Sequence, residues 1–101
     1  MRFEEHCERT EALLGDRFEQ VHIWLDHYAV VLSTPTTEAY YDPGHRRYRH
    51  HMAGIQKVDE QMGWLASVAA TRHVLDDLFG PLCNDVYKIP VDEDDFVDKF
   101  G

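Results

Sequence analysis

Seven histidines fall within 101 residues, and imidazole is both a common transition-metal ligand and the side chain whose charge changes near neutral pH. A helix turns 100° per residue, so each histidine can be assigned a direction. On the segment around residues 17–32, His22 flanks an apolar stripe and Asp26 lies one turn on. Such a pair binds one ion between two side chains, or the carboxylate orients the imidazole. Farther on, His51 falls inside an apolar stripe and His45 sits at its margin. His50 points outward if that helix is regular, so the adjacent His50 and His51 cannot both face inward. His73 opposes the Leu65, Val68 and Leu75 face and shares a side with Ala66, Ala69, Ala70 and Asp77. Asp76 or Asp77 reaches it at helical spacing. His27 points to solvent, and His6 lies on a segment too short to orient.

The chemistry this implies is a shared inter-helix metal site with His22, Asp26, His51, His73 and Asp77 as ligands. His45 and His50 are additional candidates. Arg46 and Arg49 would hold an anionic ligand beside it or pair with its carboxylates. Imidazoles with carboxylates suit a divalent transition metal such as zinc, iron, manganese or nickel. The competing reading is structural: core and boundary histidines held by carboxylates and backbone carbonyls. Glu19 and His22 form one E-x-x-H pair, but di-iron bundles use two, and the second is missing. The H…HD…D pattern of metal phosphohydrolases lacks its His-Asp dipeptide. GxSxG, the P-loop and GxGxxG are all absent. Cys7 and Cys83 make no CxxC pair and are read as structural. Whether the protein is an enzyme stays open at this level.

The elements that must carry these residues read as helices. A first segment spans about Phe3 to Leu14, closed by Gly15, with Asp16 as cap of the next. The second runs from about Arg17 to Leu32 on the stripe Phe18, Val21, Leu25, Tyr28 and Leu32. Residues 33–44, with Pro35, Pro43 and Gly44, form a connector. The third runs from about His45 to Met62, with Tyr48, His51, Met52, Ile55, Val58 and Met62 on one face. The fourth spans about Trp64 to Phe79, with Leu65, Val68, Leu75 and Phe79 as its apolar face, and ends at Gly80-Pro81. Val86 to Ile89 reads as a brief strand or extended arm. Phe96, Val97 and Phe100 predict a short terminal helix docked through its aromatics. The expectation is therefore an all-α single domain over 1–101, a compact bundle of about four helices with a short extended C-terminal segment.

Composition narrows the partners. Nineteen acidic against ten basic residues give a net charge of −9, which repels phosphate backbones and disfavours nucleic acid. The Arg46, Arg47, Arg49 cluster reads as helix-face arginines balancing that acidity. No apolar run reaches membrane-spanning length and no signal-like start is present, so the expectation is a soluble cytoplasmic protein. The non-enzymatic alternative is an interaction module or homodimer whose histidines, arginines and aspartates form a structural polar network. Trp24, Trp64, Tyr40 and Tyr41 would then anchor a protein partner.

The order V-H-I-W-L-D (21–26), H-R-x-x-R-H-H-x-x-G-I (45–55), R-H-V-L-D-D-L (72–78) and Ile89-Pro90 resembles a family of small uncharacterised phage and prokaryotic proteins. That family carries an I-H-x-W-x-D helix, an H-R-x-x-R-H-H-x-x-G helix and a Q-H-V-x-x-D-L segment. Arg72 stands where the family has an amide, and Met62 where it has phenylalanine before the glycine. The resemblance draws attention to His22, Asp26, His45, Arg46, Arg49, His50, His51, His73 and Asp77 without assigning them chemistry.

Overall fold

A computed structural model describes residues 2–31, 40–41 and 45–101. Among these, six α-helices follow in order: α1 Phe3–Leu14, α2 Glu19–Leu25, α3 Arg46–Arg49, α4 Met52–Met62, α5 Trp64–Phe79 and α6 Glu93–Phe100. A two-residue antiparallel ladder pairs β1, Val30–Val31, with β2, Tyr40–Tyr41, Val30 lying opposite Tyr41. Apart from that backbone, the expected connector 33–44 lies outside the described residues.

The protein is all-α in character, but about four helices was too few. Of the two extra helices one is α6, the short terminal helix, and the other comes from the third expected segment, which breaks in two at the adjacent histidines. His50 leaves the helical region at φ −84°, ψ 60°, and His51 is fully extended at φ −156°, ψ 175°. A continuous helix would have forced one of the two rings to the surface. The break buries both. His51 becomes the N-cap of α4, its Nδ1 accepting the Gly54 N–H at 3.1 Å, as capping side chains do. Pro90 and Val91 accept the next two orphan donors, from Met52 N–H at 2.8 Å and Ala53 N–H at 2.9 Å. The corner is tight enough that a Cβ on Gly54 would overlap the Arg49 carbonyl oxygen.

α2 is shorter than expected. Its N-cap is Phe18, in the left-handed region at φ 50°, and it ends at Leu25 with Asp26 as C-cap. Asp16 is not that cap, although its Oδ1 accepts the Phe18 N–H at 2.8 Å. Val86–Lys88 is a 3₁₀ turn rather than a strand, with extended backbone resuming at Ile89. α6 forms as expected, capped by Asp92 through the Asp95 N–H and with Phe96 buried.

The core is built around α5, on the side that was not the expected apolar face. Ala66, Ala69, Ala70 and Val74 are almost completely buried against Val21 and Leu25 of α2, Ile55 and Val58 of α4, and Ile89. Leu65 and Val68 are exposed instead, while Leu75 is buried. Alanines let α5 approach its neighbours closely, so the His73 side of the helix is its most enclosed surface. Burial of a side chain such as Leu25 stabilises the fold by about 2–3 kcal/mol.

Candidate metal centre

Five histidines are buried at one end of this core: His6 on α1, His22 on α2, His45 preceding α3, His50 following α3, and His73 on α5. Two carboxylates join them. The Asp77 side chain is 2% exposed and the Asp26 side chain 25% exposed. Burying so many polar groups is unfavourable unless each is satisfied.

His73 Nε2 lies 3.1 Å from His50 Nε2, 3.3 Å from Asp26 Oδ1 and 3.1 Å from Asp77 Oδ2. His50 Nε2 is itself 3.0 Å from Asp77 Oδ2 and 3.4 Å from Asp26 Oδ1. Four atoms with lone pairs thus converge with five of their six separations in a narrow range. Ligands at zinc-like distances of about 2.0 Å stand roughly 3.3 Å apart around a tetrahedral ion. Outside this group, His45 Nε2 lies 3.0 Å from Asp26 Oδ1 and His6 Nε2 3.1 Å from Asp77 Oδ1.

The protons can be traced from the protein side. The Thr10 hydroxyl donates to the His6 carbonyl oxygen. Its oxygen, 2.7 Å from His22 Nε2, therefore accepts the Nε2–H. Burial first, then the neighbouring His73 and His6, pull the His22 pKa down to about 3, so the ring is neutral. Its Nδ1 must then accept from His73 Nδ1, 2.8 Å away. With Nδ1–H donated to His22, His73 Nε2 carries either a proton donated to the carboxylates, when the ring is charged, or a lone pair, when it is neutral. Burial lowers the His73 pKa, but the hydrogen bonds its Nε2–H donates to Asp26 and Asp77 outweigh it and raise the pKa overall. A proton and a cation compete for the same Nε2.

The other groups have their charge states set by the same contacts. Burial pulls His50 down to about 4 against the opposing bond from Asp77, which keeps it neutral at pH 7. Burial would raise both carboxylates, yet His45 and His73 hold Asp26 below the ordinary range. His50, His6 and His73 do the same for Asp77. The rings of His6, His22 and His73 stack almost parallel, His6 and His73 with centroids 3.7 Å apart. That stacking fixes the planes in which their lone pairs point.

Of the expected ligands, Asp26, His73 and Asp77 meet at the centre, and the additional candidates His45 and His50 join them. His22 is in reach of His6 and His73, but both its nitrogens are engaged, and it stands behind His73. His51 is a correction. Its Nε2 lies 2.9 Å from the Tyr48 carbonyl oxygen and its Nδ1 takes the Gly54 N–H, so neither nitrogen faces the cluster. A cap residue must turn its side chain back onto its own helix, which aims the ring away from α5. Arg46 reaches the edge of the centre, with Nη2 3.8 Å from Asp77 Oδ1. Arg49 does not. It donates to the Trp24 carbonyl at 2.7 Å and stacks over the Trp24 ring at 4.0 Å, closing the C-terminal end of α2. Among the expected interface anchors, Trp24 is covered by Arg49, Trp64 is 71% exposed, and the Tyr40 and Tyr41 side chains lie outside the described residues.

His6 is the group sequence reasoning missed. The buried residues of α1 are His6, Cys7 and Thr10, which share a face but include no large aliphatic side chain. A search for hydrophobic stripes passes over them. The i, i+4 spacing of His6 and Thr10 was the available signal.

Comparison with protein-family models, curated proteins and solved structures returned no significant match.

Proposed function

We propose that this protein binds a divalent transition metal at the His/Asp centre between α1, α2, α3 and α5. The carrying observation is the convergence of His50 Nε2, His73 Nε2, Asp26 Oδ1 and Asp77 Oδ2, with five of their six separations between 3.0 and 3.4 Å. Divalent cations held among these atoms would satisfy their lone pairs. Mixed nitrogen and oxygen donors suit zinc, iron or manganese. The chain Thr10–His22–His73 would act as the outer support that fixes the tautomer and ring orientation of a ligating histidine. Asp26 is the most exposed of the four donor residues, so a metal held there would be open to water from that side, and it would supply Lewis-acid chemistry.

The test is elemental analysis of protein purified without a polyhistidine tag. The expected result is stoichiometric zinc, iron or manganese, lost in a folded His73→Ala variant, and a lower melting temperature in chelator. Metal-free protein whose melting is indifferent to chelator and to added ions would leave only a structural polar network.

The competing reading, a protein-interaction module or homodimer, draws its support from the exposed Trp64. It predicts a concentration-dependent molecular mass that Trp64→Ala abolishes.

A further inference from the structure

Six donor residues surround the centre in overlapping groups: the chosen atoms of His6, Asp26, His73 and Asp77 all lie within 4.8 Å of one another, as do those of Asp26, His45 and His50, and His50 Nε2 joins the two at 3.1 Å from His73 Nε2 and 3.0 Å from Asp77 Oδ2. A single octahedral ion with bonds of about 2.1 Å brings its farthest ligands to roughly 4.2 Å, so six ligands of one ion would make one set. A third set, His6, His22 and His73, is set aside because Thr10 and His73 occupy both nitrogens of His22.

We infer that the centre holds two divalent ions bridged by Asp26, one taken by His6, His73 and Asp77, the other by His45 and His50. This rests on the metal-binding reading above. Asp26 is the common member, and its Oδ1 contacts His45 and His50 of one set and His73 of the other. Asp77 is placed like a second bridge. Its Oδ1 faces His6 while its Oδ2 faces His50 and His73. Carboxylates spanning imidazoles in this way recur where two metals lie about 3.5–4 Å apart and share a bridging oxygen ligand.

Charge then names the class of exchangeable ligand. Two carboxylates balance one dication, so a second ion leaves the set positive, and Arg46 beside Asp77 adds to that field. The ligand completing the pair is an anion, hydroxide or an oxyanion such as phosphate.

The experiment is a Mn(II) titration of the full chain after chelator treatment, followed by elemental analysis and electron paramagnetic resonance. The expected result is two ions per chain with an exchange-coupled spectrum, and one uncoupled ion in His45→Gln. Native protein that saturates at one ion with the hyperfine pattern of isolated Mn(II) overturns the pair and leaves metal binding standing. Absence of any tightly held ion removes both. A folded His45→Gln protein that keeps the coupled spectrum also overturns the assignment. The native spectrum decides the matter even if that variant does not fold.

Discussion

Two neighbouring aspartates on α5 separate a structural role from the proposed metal-binding one. Asp76 is clamped by Arg9 Nε at 2.6 Å and Arg72 Nε at 2.8 Å, and Arg72 goes on to Asn84 and the Cys83 carbonyl. Asp76→Asn leaves two guanidinium groups short of charge and should cost about 3–5 kcal/mol in denaturant unfolding, the range for breaking a buried pair, with metal content unchanged. Asp77→Asn should instead abolish bound metal in elemental analysis. The same contrast applies to histidine. His51→Ala removes a helix cap, worth about 1 kcal/mol, and should keep the metal, whereas His73→Ala should lose it. Thr10→Val breaks the orienting chain behind His73, and its bond to the His6 carbonyl, without removing a donor atom. Metal affinity should drop about 10- to 100-fold, the range for outer-sphere partners, in a competition titration against a chromophoric chelator.

Among the elements, α1 and α5 were legible to the residue, because Gly15, Gly63 and Gly80 stop them sharply. The α3–α4 corner was half legible. Helical geometry shows that His50 and His51 cannot share an inward face, but not which way the chain resolves the conflict. The answer depends on Pro90 and Val91, whose contact with α4 leaves no local sequence pattern. The buried face of α5 was misjudged for a related reason. Leu65 and Val68 advertise an apolar face, yet close approach of three helices selects the alanines. Gly54 carries the corner. Gly54→Ala drives a methyl group into the Arg49 carbonyl, so it should destabilise the protein by more than the ~1 kcal/mol gained from propensity alone. It should also displace His50, reducing metal content together with the melting temperature.

For the molecule as a whole, the buried histidines couple folding to acidity. Unfolded imidazoles protonate near pH ~6.5, but folded His22 and His50 resist until about 3 and about 4. Between those limits the unfolded chain binds more protons, so stability falls as the pH falls. The slope for two such groups reaches about 2.7 kcal/mol per pH unit. Asp26 and Asp77, whose carboxyls are depressed, extend the loss below the ordinary carboxylate range. His73 works the other way, its raised value giving stability that is lost as pH rises through it. Urea midpoints of chelator-treated protein should therefore decline steeply from pH 6.5 to 4.5. A flat profile there would mean the imidazoles are not buried neutral.

The pairing of His6 with Asp77 joins residues 71 positions apart. Any ion they share is a staple between the first helix and the fifth, drawn shut only after α5 has been synthesised and has left the ribosome. Nascent chains halted before that point would hold an incomplete set of donors. Loading would thus be a late event in the life of each molecule, with the ion reporting whether the fold has closed.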